Sequence, residues 1–370
     1  MPLQVNPEFL PRYDWDQSYQ WNYDNTPDPP PVDEPPVTGQ WTFCGHPVGS
    51  PLGIAAGPLL NGRWCLYYAA LGFDVVTYKT VRSCFRASYP MPNLLPVDCG
   101  SLTGRETSLT AASKPMGSWA VSFGMPSQSP EIWQADIAQT RRDLPPHKLL
   151  NVSVVGTMVP GWSIEQLADD YAACARKAVQ AGADSIEFNL SCPNVNTCDG
   201  QLYHLPGDSS MVAERIRQAV GLRPLIAKIG HFRNFDKVGP LLESLAPHVD
   251  AVAATNCIAA TVTDVQGQPC FNGEARGIAG AAILDASVRQ IEAIASYIVR
   301  GSLSLGIIGV GGISTVEDVR QYLNAGAEAV QLATAAMLDP RVGIGIREAM
   351  SAVEHLPIAA LRLPIDHHIN

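Results

Sequence analysis

From about residue 50 onward, apolar runs of five to eight residues alternate with polar turns and with stretches whose apolar positions recur at helical spacing. The runs are LGIAA (52–56), FDVVTYK (73–79), LLNVSVVG (149–156), SIEFNL (185–190), PLIAKIG (224–230), DAVAATN (250–256), LGIIGV (305–310) and EAVQLAT (328–334). Near-continuous apolar character predicts strands covered on both faces, which is the habit of parallel sheets. The intervening helices carry readable ends. Ser163 with Gln166 predicts a capping box, and Gly182 a stop. Ser314 with Glu317 predicts a second start, closed by Gly326. Strand–helix alternation repeated eight times over this length predicts an α/β fold, a (β/α)8 TIM barrel. A doubly wound sheet is the runner-up, but no GxGxxG turn follows the first strand.

Two stretches break the rhythm. Residues 1–45 form a leader rich in proline and aromatics, in which Pro29, Pro30 and Pro31 forbid helix and favour extended chain. Trp15, Tyr19, Trp21 and Tyr23 are placed to pack this arm onto the body, residues 46–370. Residues 84–148 are rich in Pro, Gly and Ser and predict a large insertion over the active-site face.

Composition narrows the function. The chain of 370 residues is 46% hydrophobic, enough for a sizeable core, and carries a formal net charge of −10. That charge argues against nucleic acid or an anionic membrane as a partner. No apolar run is long enough to span a bilayer, and the N-terminus lacks the basic start and apolar stretch of a signal peptide. Nine scattered cysteines imply reduced thiols and a cytoplasmic setting, and no His/Cys spacing suggests a metal.

In such a barrel, chemistry gathers where strands end. Those ends carry Gly57, Lys79, Asn151, Asn189, Cys192, Asn194, Lys228, Asn256, Cys257, Gly311, Gly312 and Thr334. Singly, each has a plain explanation: a snorkelling lysine, a small buried thiol, an amide satisfying a turn. Together they converge two lysines, several amides and a cysteine on one mouth. A buried lysine is costly unless it meets an anion. The segment IIGVGGISTVEDV (307–319), whose helix would point its first amides back at Gly311 and Gly312, supplies a phosphate cradle, reinforced by QLATAAM (331–337).

Read in order, GIAAGP (53–58), VTYKT (76–80), NLSCPN (189–194), IAKIG (226–230), ATNCIA (254–259), GIAGAAI (277–283), GVGGIST (309–315) and QLATAAM resemble the dihydroorotate dehydrogenases, flavin mononucleotide (FMN) barrels of pyrimidine biosynthesis. Cysteine at position 192 is similar to the soluble class 1 branch, whereas the membrane-associated branch uses serine and an apolar anchor. The resemblance implies that Ala56, Gly57, Asn151 and Asn256 line the isoalloxazine, with Lys79 and Lys228 at its pyrimidine edge. It implies that Gly280, Gly311, Gly312, Ala333 and Thr334 hold the ribityl phosphate. Asn189, Asn194 and Asn256 would bind the substrate's imide and amide groups, and the backbone of Gly124 and Met125 its carboxylate. A homodimer and an electron-transfer partner subunit are further implications.

Chemistry agrees with these roles. Oxidising a carbon–carbon bond beside a carbonyl needs a base for a proton and an acceptor for a hydride. A thiol near cationic lysines is poised to serve as that base, which makes Cys192 the expected one, with Lys79 and Lys228 assisting. Two positions depart from the family pattern: Val121 stands where class 1A has a substrate-binding Asn, and Cys257 where Ser or Thr often follows Asn256. These leave room for a related dihydropyrimidine, of the uracil or thymine type, as substrate. An RNA-modifying flavin barrel fits poorly with the acidic charge, and a non-catalytic flavin-binding protein fits poorly with Cys192 beside two amides.

Overall fold

The computed structural model describes residues 10–191 and 201–352. Among them, eight parallel strands close into a barrel in chain order: β1 Leu52–Ile54, β2 Val75–Val81, β3 Leu149–Val154, β4 Ser185–Asn189, β5 Leu225–Lys228, β6 Ala251–Ala254, β7 Gly306–Val310 and β8 Ala329–Leu332. β8 pairs with β1 through Val330–Leu52 and Leu332–Ile54, which seals the cylinder. Each strand falls inside or against one of the apolar runs, and the (β/α)8 barrel expected from their rhythm is the fold observed.

A helix follows each strand: α1 Gly62–Ala69, α2 Pro130–Asp143, α3 Ile164–Gln180, α4 Pro206–Val220, α5 Val238–Leu245, α6 Leu284–Gly301, α7 Val316–Asn324 and α8 Val342–Ser351. The Ser163–Gln166 capping box opens α3 as expected. The start of α7 corrects the expectation by one residue. Thr315 is the cap and Asp318 its reciprocal partner, because the aspartate also accepts from the N–H and hydroxyl of Ser314. A carboxylate one bond shorter than Glu317 reaches all three donors.

The interruption at 84–148 is two things. Its last third is α2, an ordinary barrel helix. Before it, Leu94–Asp98, Ser108–Ala111 and Ser118–Val121 join Ile258–Thr263 and Arg276–Gly280 in a five-stranded closed sheet over the mouth. The second excursion, after β6, has no long apolar run to announce it. Alternation does: Ile258, Ala260 and Val262 are buried and their neighbours are not, a half-covered strand.

At the opposite end, a hairpin of Trp41–Phe43 and His46–Val48 plugs the barrel. Phe43 is buried against Val75, Ile226, Ala251 and Ile308, a contact worth about 1.5–3 kcal/mol as removal of one aromatic side chain from water. The arm adds a short helix, Tyr19–Asp24, capped by the Ser18 hydroxyl. Tyr13 and Tyr19 bury against Trp64 and Phe123, and the Trp64 indole N–H donates to Asn22 O at 3.0 Å. Further along, Glu34 closes on Lys148 at 2.6 Å beneath the barrel.

Candidate active site

Strand direction aims every β-strand's C-terminal end at one opening, and a cavity of about 410 Å³ lies there, beneath the five-stranded sheet. Its size is within the ordinary range for cofactor sites. Twelve of the residues given a site role from the sequence line it, Ala56, Gly57, Lys79, Met125, Asn189, Lys228, Asn256, Gly280, Gly311, Gly312, Ala333 and Thr334, and so do Val121 and Cys257.

β2 carries a bulge between Tyr78 and Val81, where its register with β3 shifts. A bulge sets two successive residues against one on the partner strand. Lys79 and Thr80 both reach the cavity as a result, and Thr80 is hydrogen-bonded to Ser153 at 2.9 Å. Tyr78 points the other way, its hydroxyl donating to Asp136 of α2 at 2.6 Å, which anchors the strand behind the bulge.

At the base of the cavity the barrel interior is polar. Lys228 Nζ donates to Gln331 Oε1 at 2.9 Å and lies 3.6 Å from Glu187 Oε2. Gln331 Nε2 donates to Glu187 at 3.2 Å and to Thr77 Oγ1 at 3.1 Å. The network continues from Thr77 to Asn151 and from Ser185 to Asn151. Lys228 and Glu187 are only 4% and 2% exposed, so each makes the other's burial tolerable. The anion beside Lys228 is therefore a side chain of the protein, which the sequence reading had sought only in a bound phosphate. Asn151 belongs to this interior layer, fully buried and spent on Thr77 and Ser185, and is not on the cavity wall.

The side of the mouth formed after β7 and β8 is walled by glycine. A Cβ on Gly280, at φ +100°, would stand 2.1 Å from Gly117 O, and one on Gly312, at φ +78°, 2.7 Å from the Leu284 backbone. Only glycine permits this approach. Just before α7, Asp318 accepts from the N–H groups of Ser314 and Thr315, and within its first turn the Thr315 hydroxyl accepts from Asp318 N. The backbone that lines the cavity at this end is that of Gly311–Gly312 and Ala333–Thr334.

Opposite lies a cluster of amides. Asn189 Oδ1 accepts from Ser191 N at 2.9 Å and from Asn256 Nδ2 at 3.2 Å, while Asn256 Nδ2 also donates to Ser191 O at 2.5 Å. The Cys257 thiol lies 3.6 Å from Asn256 Oδ1. Both protons of the Asn256 amide are spent, so this residue offers the cavity the second lone pair of Oδ1, beside the Cys257 thiol, and Asn189 offers the Nδ2 proton not directed at Met125 Sδ 3.8 Å away. Adjacent donor and acceptor suit a ring bearing N–H beside C=O.

The roof is apolar: Leu94, Trp119 and Val121 from the five-stranded sheet and Phe123 just beyond it. Arg82, fully buried, donates to Met125 O at 3.0 Å and Gly156 O at 2.8 Å and so fixes the loop that brings Met125 to the cavity. Gly124 does not line it. A Cβ there would strike the Tyr89 ring at 2.6 Å, which explains the glycine by packing. Cys192 and Asn194 lie outside the described residues.

The sequence reading missed Glu187, Gln331, Thr80 and Trp119. Alternation within the strands was the available signal: Ser185, Glu187 and Asn189 share one face of β4, and Thr77 and Lys79 one face of β2.

The chain matches the family described as dihydroorotate dehydrogenase over residues 110–352. It is 33% identical over 322 residues to a dihydroorotate dehydrogenase of Dictyostelium discoideum, covering 82% of this chain and 85% of that one. It is 24% identical over 307 residues to the catalytic subunit of dihydroorotate dehydrogenase B (NAD(+)) of Methanosarcina mazei, covering 82% and 86%. The fold is similar to that of a DHODH from Eimeria tenella solved in complex with ferulenol, with a TM-score of 0.68, 17% identity and coverage of 85% and 84%. Barrel, mouth and sequence agree, and the chain belongs to the dihydroorotate dehydrogenase family.

Proposed function

We propose that the protein oxidises dihydroorotate to orotate and that its hydride acceptor is FMN held across the barrel mouth. Membership of the family supports the reaction, which makes the protein an oxidoreductase acting on a CH–CH group. The observation that carries the site is one cavity with a glycine-walled end, a lysine, and a facing donor–acceptor pair of amides. The glycine wall at Gly280, Gly311 and Gly312 with the Ala333–Thr334 backbone suits a ribityl phosphate, and no adenylate-binding unit adjoins it among the described residues. The flat apolar roof at Trp119 and Phe123 suits a planar ring system, and Lys79 and Lys228 suit the negative charge such a ring gains on reduction.

When bound, the flavin supplies a two-electron acceptor. The protein must do the rest: hold the substrate ring, exclude water and take one proton. Asn189 and Asn256 would hold the ring's N–H and C=O edge, and Asn194 would add a third amide. Cys192 would take the proton, its thiolate becoming a thiol as the substrate C–H bond breaks. Ser191, the residue before it in the sequence, is tied at both N–H and C=O to Asn189 and Asn256 at the mouth.

The test is direct. Purified protein should be yellow, and denaturation should release FMN and not the dinucleotide. Anaerobic mixing with dihydroorotate should bleach the flavin band, and dihydrouracil or dihydrothymine should do so at least about tenfold more slowly, as expected when binding groups find no partner. Colourless protein that cannot be reconstituted, or faster bleaching by dihydrouracil, would refute the proposal.

A further inference from the structure

A second cavity, about 400 Å³, adjoins the first and shares Cys257 with it. It opens between the ends of β4 and β5 and is lined by Tyr203, His204, His231, Arg233, Asn234 and Lys237, with Ser191 at its inner end. Nothing in the oxidation described above uses it.

His231 is 8% exposed, yet no hydrogen bond of normal geometry reaches either ring nitrogen. Its backbone, by contrast, is clamped. The fully buried Gln290 accepts from Phe232 N at 2.7 Å and donates to Gly230 O at 2.9 Å, and Tyr203 donates its hydroxyl proton to His231 O at 3.3 Å. Three hydrogen bonds thus hold this turn in place, while the imidazole nitrogens make no hydrogen bond of normal geometry. Ser191, 1% exposed, repeats the pattern, its hydroxyl also lacking a partner. Buried polar atoms are satisfied in the great majority of cases, so two unsatisfied groups facing one cavity call for a partner that enters it.

The charge around them gives that partner's sign. The lining holds Arg233 and Lys237, and no carboxylate among the described residues. Burial, then the charges of Arg289 and Arg233, lower the His231 pKa to about 4, opposed by the Ala286 backbone and by Glu106. Glu106 is itself engaged, its carboxylate accepting the N–H groups of Thr103, Gly104 and Arg105. A neutral imidazole offers one N–H donor, and a serine hydroxyl another. In a chain of net charge −10, a pocket with two cations at its rim and two neutral donors within is a local exception.

We infer that the second cavity binds a small anion, a molecule carrying a carboxylate or phosphate group, with His231 and Ser191 as its buried donors and Arg233 and Lys237 as its cationic rim. The volume limits the ligand to a small molecule. The site adjoins the flavin and substrate cavity at Cys257, and its cationic rim does not depend on the assignment of either ligand there.

The experiment is isothermal titration of the full-length protein, with flavin supplied in excess, by inorganic phosphate and in a separate arm by malonate, at pH 7 and low salt. Arg233→Ala/Lys237→Ala, both exposed positions, gives a variant that should fold normally. Saturable binding of at least one anion is expected, weakened about tenfold or more in the double variant, the loss typical of charge-assisted hydrogen bonds. Phosphate binding alone would make the ligand a phosphate ester, malonate binding alone a carboxylate. Either supports the site, as does binding of both. In parallel, the His231 imidazole resonance should titrate at a higher pH when the anion is present, a response that a phosphate lodged in the main cavity would not produce. Failure of both anions to saturate below about 20 mM, weaker than any useful affinity, would overturn the inference. So would binding to the double variant equal to that of the wild type.

Discussion

Two ends of the same barrel bury charge in opposite ways. At the floor, two cations meet two anions. Lys148 lies 2.6 Å from Glu34 and 3.7 Å from Asp74, and Arg347 2.8 Å from Asp74 and 3.8 Å from Glu34. Arg347 also donates to Pro35 O at 2.7 Å, so the neutral cluster ties the N-terminal arm and the last helix to β2. At the mouth, two lysines share a cavity with Glu187, which stands 3.6 Å from Lys228, whose shortest bond is to a neutral amide. Matched charges at hydrogen-bond distance are built to stay closed. A longer, amide-mediated arrangement leaves cationic potential for something that arrives. The floor ties distant elements of the fold together, and the mouth is where the proposed reaction would take place.

The comparison can be broken at either end. Cys192→Ala should slow flavin bleaching by dihydroorotate by about 10²–10⁴-fold in stopped flow, the scale of a lost general base, with the fold and flavin content kept. A second cysteine, Cys198, follows six residues on in the sequence; Cys198→Ala should match the wild type, and the opposite ranking would reassign the base. Asp74→Asn should cost about 3–5 kcal/mol in denaturant unfolding, because it leaves Arg347 and Lys148 buried with one carboxylate between them. A loss below about 1 kcal/mol, the size of an exposed pair, would show the floor to be ordinary surface electrostatics.

Smaller effects sharpen the picture. Val121, on the cavity roof and paired in register with Leu94 and Gly277, should when changed to Asn lower KM for dihydroorotate by about tenfold, the worth of one added hydrogen bond. An unchanged KM would place the substrate away from that wall. His231 is kept neutral in the fold, with a pKa lowered from 6.5 to about 4, whereas the unfolded chain takes up a proton near pH 6.5. Its contribution to stability is therefore fully present above pH 6.5 and lost as pH falls toward 4. The wild type should lose unfolding free energy relative to His231→Gln as pH falls from 6.5 toward 4, and the two should run parallel above that window.

Much of this was legible in the sequence, for identifiable reasons. The strands of a parallel barrel are covered on both faces, so their apolar runs stand out against polar turns. Glycines that admit no Cβ, such as Gly280 and Gly312, sit where the strand rhythm put the mouth. The floor cluster was hidden because Glu34, Asp74, Lys148 and Arg347 come from four distant parts of the chain and meet only through barrel closure. Glu187 and Gln331 were hidden differently. Each sits inside a run read as apolar, and only the two-residue alternation betrays that its side chain faces the barrel's inside. The start of α7 was misplaced by one residue because Ser314 and Thr315 are both good caps, and the choice rests on which N–H groups Asp318 can reach.

The central claim is that the mouth's buried charges serve the reaction and contribute little to the fold. Replacing both at once, Lys228→Met with Glu187→Gln, avoids leaving either charge buried alone. The measurement is made on one preparation: denaturant unfolding, and the rate of anaerobic flavin bleaching by dihydroorotate. The account predicts unfolding within about 1 kcal/mol of the wild type, since exchanging a buried pair for neutral side chains is often nearly neutral. Bleaching should be slowed at least about 100-fold, the scale of losing an electrostatic stabiliser of the reduced ring. Bleaching at the wild-type rate in a protein destabilised by several kcal/mol would contradict it, and would make the mouth a second floor.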